Sequence, residues 1–147
     1  MEDALYLSLG ILLVPTVIQD VMSRKIMNEY LFPTLLMYLP LGILYSYYKY
    51  SSFYTICLLL FSLFSSYMYT RPLRMGGGDF KLIMITQFMY SIRFDIRSFL
   101  EAVSIYYLSL SSLLLLSITI GRKFKVGSAL SIPILLNHLL LYFFRIL

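Results

Sequence analysis

Charged residues divide the chain into six apolar stretches. Segments without Asp, Glu, Lys or Arg run over 4–19, 30–48, 50–70, 82–92, 102–121 and 126–144. A helix needs about 20 residues to cross a hydrocarbon core of about 30 Å, so the second, third, fifth and sixth are long enough and the first nearly so. The fourth reaches across only if its helix starts near Asp79, with a polar end at the interface, and runs a little beyond Ile92. The pattern predicts an all-α polytopic membrane protein, a bundle of six transmembrane helices forming a single domain over 1–147.

Composition narrows the class further. Of the 147 residues, 60% are apolar or aromatic and 13% are charged, and the mean hydropathy is +0.82. A soluble domain has about 45–50% apolar and about 25% charged residues, so an ordinary water-soluble fold is excluded. Twelve Lys and Arg against seven Asp and Glu give a net charge of +5. These basic residues sit between apolar runs, where they orient the chain in a bilayer, and no nucleic-acid partner is expected. Arg24, Lys25, Arg71, Arg74, Lys81, Arg122, Lys123 and Lys125 fall on one side, and Lys49, Arg93, Arg97 and Arg145 on the other. The larger set is expected in the cytoplasm, which puts both termini outside. Asp95 and Glu101 then lie outside with Glu2 and Asp3. These last two stand where a secretory signal would carry positive charge, so the first helix is expected to be retained. Cys57 has no second cysteine for a disulfide or a thiolate cluster, and is expected to pack within its helix.

Three acids remain on the cytoplasmic side: Asp20, Glu29 and Asp79. A carboxylate at the edge of the apolar zone is costly and needs a reason. The topology brings Asp20 and Asp79 to one membrane face at one depth. Two close carboxylates cannot both stay ionised, so one retains a proton near neutral pH. One can then activate water while the other protonates, the minimum apparatus for hydrolysing a peptide bond without a metal or a nucleophilic side chain. If the first helix ends at Asp20, that carboxylate sees a negative helix end while Asp79 sees a positive one, which makes Asp79 the expected ionised partner.

Gly76, Gly77 and Gly78 precede Asp79. Without Cβ atoms they let another backbone approach, and a peptide is expected to lie extended along this strand-like loop. A P-loop is disfavoured, because no Lys-Ser or Lys-Thr follows the glycines and no strand precedes them, and a plain flexible turn is the stronger alternative.

These residues carry a family resemblance. Gly76-Gly77-Gly78-Asp79-Phe80-Lys81 fits the GxGDxK signature of the type IV prepilin peptidase and archaeal preflagellin peptidase family of intramembrane aspartyl proteases. The segment from Asp20 to Asn28 resembles that family's first motif, with Met27 where the family usually has Pro. Leu130-Ser131-Ile132-Pro133 is loosely similar to a family Pro in the last helix. Presenilins and signal peptide peptidases share GxGD but place Tyr before the first Asp, where this chain has Gln19. The resemblance implies a single peptidase domain in which Asp20 and Asp79 are catalytic, and Gly76, Gly77, Gly78 and Lys81 are the candidate substrate-binding residues beside them. It implies pilin-like or archaellin precursors as partners, each with a short basic leader ahead of an apolar helix cut at the cytoplasmic interface. With Cys57 alone and no tetracysteine insertion, the chain resembles the compact, peptidase-only form. No metal, no cofactor and no methyltransferase activity are expected.

Other residues stay open. Lys81 is a candidate for tuning Asp79 or for reaching lipid headgroups, Asn28 for capping the second helix, and Glu29 for meeting a basic leader. His138 is either a proton relay or, the favoured reading, a hydrogen-bonded packing residue. Tyr and Phe are expected to face lipid and the interface. The competing functions are a small transporter or proton conductor using Asp20 and Asp79, and a silent partner in filament assembly.

Overall fold

The computed structural model describes residues 2–23, 28–73, 75–94, 98–123 and 130–144. They form six helices: α1 (Glu2–Ser23), α2 (Asn28–Lys49), α3 (Ser52–Thr70), α4 (Gly77–Ser91), α5 (Phe99–Lys123) and α6 (Ser131–Phe144). Among the described residues there is no strand. Arg24, Lys25, Met27, Arg74, Asp95, Arg97, Lys125 and Arg145 lie outside the described residues.

Four helices, α1, α2, α3 and α5, are long and apolar enough to cross a membrane. Helices α4 and α6 have 15 and 14 residues, which is about 21–22 Å at 1.5 Å per residue and short of a full hydrocarbon thickness. The fourth helix starts at Gly77, near Asp79 as expected, but it stops at Ser91 and does not run past Ile92. Large apolar side chains such as Ile11, Leu36, Leu60, Phe64, Leu108 and Leu115 point outward. That is how a membrane protein meets lipid. The Tyr and Phe residues divide between the two environments, because Tyr6, Tyr38, Phe88, Tyr90 and Tyr106 are buried while Tyr48, Phe53 and Phe143 face outward. Cys57 is exposed on α3 and is not part of the core.

Helical periodicity explains which side chains turn inward. On α1 Tyr6, Leu9, Leu13, Thr16 and Asp20 are buried along a stripe of alternating three- and four-residue steps, with Gly10 and Val17 beside it. On α5 Ala102, Tyr106, Leu110 and Leu114 are buried at four-residue steps, also one face of a helix. Helix α4 is central. It packs against every other helix, and from Leu82 to Ser91 nearly every side chain is buried. Gly42 of α2 makes one of these approaches possible, since a Cβ there would stand 2.7 Å from a Phe88 ring carbon and 2.9 Å from the Met89 sulfur.

Apolar burial supplies little helix association in lipid, so the interior is joined by polar contacts and close packing. Gln87 Oε1 on α4 accepts from Ser66 Oγ of α3 at 3.1 Å and from Tyr107 OH of α5 at 2.7 Å. Thr86 and Tyr106 hydroxyls lie 2.6 Å apart. At the far end of the bundle from Asp20, buried Arg93 donates to Asp3 at 2.6 Å and stacks 4.4 Å from the Tyr6 ring centre. This pair ties the start of α1 to the end of α4, so the two helices run antiparallel and the other ends of both meet near Asp20.

Candidate active site

Asp20 belongs to the inward stripe of α1. It is 5% exposed, and its Oδ2 accepts the Ser131 backbone N–H at 3.1 Å. Ser131 opens α6, and Pro133, within that helix's first turn, removes no hydrogen bond there. Asp20 therefore faces the N-terminal end of α6, whose unpaired N–H groups and dipole favour a negative charge.

Asp79 sits in the first turn of α4, ahead of the apolar stretch that begins at Leu82. Its Oδ2 accepts the Gly76 N–H at 3.0 Å, the carboxylate half of a capping box. Gly76 itself is extended, with φ −72° and ψ 163°. Each carboxylate is thus held by a backbone N–H at the start of one of the two short helices. Both short helices begin at this end of the bundle.

The two acids also act on one another. Burial pushes the Asp79 carboxyl above the usual carboxylate range, the Gly76 N–H holds it partly back, and the Asp20 charge adds to the rise. A carboxyl raised by burial that feels the charge of a second one offers a donor and an acceptor for proton transfer. Among the described residues, no group of three or more His, Cys, Asp or Glu is placed to hold a metal ion.

The sequence model of the type IV leader peptidase family matches residues 7–121. The chain belongs to that family. No curated protein and no solved structure matches. The part of this leader peptidase that matches contains Asp20 and Asp79 and extends almost to the end of α5, while α6 and Ser131 lie beyond it.

The other candidate residues of the leader peptidase occupy different parts of the bundle. Gly76 is extended, but Gly77 and Gly78 belong to the first turn of α4, so the strand-like loop expected over all three glycines is reduced to one residue. A Cβ on Gly77 would touch nothing within 4 Å. Lys81 is half-buried two positions beyond Asp79, a spacing that sends the two side chains off different sides of a helix. Glu29 is exposed in the first turn of α2, and Asn28 opens that helix with its side chain outside the described residues. His138 Nε2 lies 2.7 Å from the Tyr6 carbonyl oxygen, and the two rings stack at 3.7 Å. Tyr6 precedes Asp20 by fourteen positions on α1, about 21 Å at 1.5 Å per residue, so His138 packs the far end and is not a relay to the acids.

The helix-dipole basis of the expected proton assignment is absent. Helix α1 continues past Asp20 to Ser23, and the helix end that faces Asp20 is the positive start of α6. The contrast between a negative helix end at Asp20 and a positive one at Asp79 therefore disappears, while burial raises the Asp79 carboxyl. Ser131 was not among the expected site residues. A backbone donor leaves no side-chain trace in a sequence, and the neighbouring Pro133 was the available sign that a helix starts there.

Proposed function

We propose that this leader peptidase is an intramembrane aspartyl endopeptidase that cuts the short basic leader from type IV prepilin or preflagellin precursors at the cytoplasmic face of the cell membrane. The observation that carries the reading is the pair itself. Asp20 and Asp79 come from antiparallel helices to one end of the bundle, each on a backbone N–H, with the charge of one felt by the other. Asp20 acts as the base and takes a proton from water, whose oxygen attacks the scissile carbonyl carbon. Asp79 gives its proton as charge develops on the substrate. Collapse of the tetrahedral intermediate breaks the C–N bond, and a proton passes to the departing amine.

Gly76, Gly77, Gly78 and Lys81 are assigned to the substrate side of this site. The open space around Gly77 supports that role. The excess of basic loop residues on the Asp20 side supports a cytoplasmic site, with both termini outside. Six spans in one peptidase domain follow if the membrane thins over the short helices α4 and α6. A transporter is less well supported, because its acids belong near the bilayer midplane, and these two lie at one end.

The test uses purified protein in detergent with a precursor carrying a basic leader ahead of an apolar segment. One cut at the leader junction, unaffected by chelators and by serine- or cysteine-directed reagents, is expected. No cut, or a cut abolished by a chelator, overturns the proposal.

A further inference from the structure

Two buried hydroxyls at the acid end take part in no hydrogen bond among the described residues: Thr16 Oγ1 on α1 and Ser131 Oγ on α6. Both residues are fully buried. Other hydroxyls of the chain show what such groups ordinarily do. Thr70 and Thr86 each donate to the carbonyl four positions back at 2.8 Å, and Ser51 caps α3 by accepting the Tyr54 N–H at 3.2 Å. Thr16 makes no such back-bond, and Ser131, at the start of α6, makes no such cap. A buried polar group left unpaired is costly, so two of them beside one carboxylate call for an explanation.

The two hydroxyls flank Asp20 from different helices. The Ser131 N–H donates to Asp20 Oδ2 at 3.1 Å, and the hydroxyl of that serine is only three covalent bonds from the same nitrogen. Thr16 stands one turn before Asp20 on the inward stripe of α1. Helical side chains lean toward the N-terminus, so the Asp20 carboxylate leans over Thr16. We infer that Thr16 and Ser131 hold the water that attacks the peptide bond, with Asp20 as its third partner. The inference rests on the peptidase reading above. A buried water makes about three hydrogen bonds to polar groups that lack other partners, and these three groups supply them in the required sense. The water donates one hydrogen to Asp20 and the other to Thr16 Oγ1. Its oxygen accepts from the Ser131 hydroxyl, which leaves one lone pair for the scissile carbonyl carbon. As the new C–O bond forms, Asp20 takes the proton it was receiving, the carbonyl π electrons move to the carbonyl oxygen, and Asp79 supplies that oxygen with a proton.

Thr16→Val and Ser131→Ala each remove one hydroxyl, and Ser131→Ala leaves the backbone N–H that Asp20 accepts. Thr16→Ser keeps the hydroxyl and drops a methyl group. Precursor cleavage and melting temperature are measured for purified wild type, these three variants and the double variant Thr16→Val/Ser131→Ala. Each variant that loses a hydroxyl is expected to lose roughly ten- to hundred-fold in kcat, with KM and melting temperature close to wild type, since a misplaced nucleophile slows chemistry and not binding. Thr16→Ser is expected to retain most of the wild-type kcat. The double variant is expected to lose little more than the more damaging single one, because both hydroxyls serve one water. Wild-type kcat in Thr16→Val or Ser131→Ala, a loss in Thr16→Ser as large as in Thr16→Val, a loss carried by KM, or single losses that multiply in the double variant overturns the inference.

Failure of the peptidase reading has a different signature. It shows as no cleavage by wild type, or as cleavage that survives Asp20→Asn or Asp79→Asn. The water site is then judged from crystals of the wild-type protein that diffract well enough to show ordered solvent. One water within hydrogen-bond distance of Thr16 Oγ1, Ser131 Oγ and the Asp20 carboxylate supports the site. Hydroxyls turned to carbonyls of their own helices, or no water between them, overturn it.

Discussion

Replacing Gly76 separates the role of its N–H from the role of its missing side chain. The Gly76 N–H donates to Asp79 at 3.0 Å, and its φ of −72° matches the −65° or so that proline imposes. A Cβ at this position would lie 3.4 Å from Asp79 Oδ2, an ordinary contact. Gly76→Ala therefore keeps the donor and Gly76→Pro removes it. A hydrogen bond to a charged group contributes about 1.5–3 kcal/mol. Asp79 is only partly buried, and screening reduces this to about 1 kcal/mol, or somewhat less than one pKa unit. The sign follows from the state that the bond favours. The N–H stabilises the ionised carboxylate, so its loss raises further an acid that burial has already pushed up. Cleavage of a precursor is measured across pH for wild type and both variants, with melting temperature as the check on folding. The alkaline limb, where the pair loses its working proton, is expected to move to higher pH in Gly76→Pro by up to about one unit and to stay in place in Gly76→Ala. Coincident profiles for Pro and Ala, or a shift of the Pro limb to lower pH, would refute this account of Asp79.

Packing and burial set three further expectations. Gly42→Val forces a Cβ to within 2.7 Å of the Phe88 ring and 2.9 Å of the Met89 sulfur, an overpacking cost of about 1–3 kcal/mol that lowers the melting temperature in detergent. Gly77→Ala meets no neighbour and should keep the wild-type melting temperature, yet slow cleavage if a peptide backbone approaches there; unchanged activity removes Gly77 from the substrate side. Asp3→Asn takes the charge from the partner of buried Arg93, and because Asp3 is largely exposed the loss is expected at about 1 kcal/mol, seen as a melting shift of a few degrees.

Much of the arrangement is legible in the sequence because lipid and helix periodicity impose simple rules. The intervals between charges mark the helices, and the three- and four-residue steps from Tyr6 through Leu13 carry Asp20 onto the inward face. Gly76 to Asp79 signals the second acid. Other features have no such signal. The Ser131 N–H is a backbone group, so no residue type announces it. Arg93 reads as a loop cation that orients the chain, and its burial depends on Asp3, ninety positions away. Cys57 looks like a packing residue because apolar surroundings in sequence do not distinguish the lipid face from the core. The dipole contrast expected at Asp20 is absent because α1 runs one turn further and the facing helix end belongs to α6.

The central claim is that two carboxyl groups, one on α1 and one on α4, share the chemistry at one end of the bundle. The direct measurement is the rate of leader removal by purified wild type, Asp20→Asn and Asp79→Asn, each shown to be folded by its melting curve. Both variants are expected to lose at least about a thousand-fold in kcat with a folded protein remaining. Cleavage at the wild-type rate by either folded variant would contradict the claim.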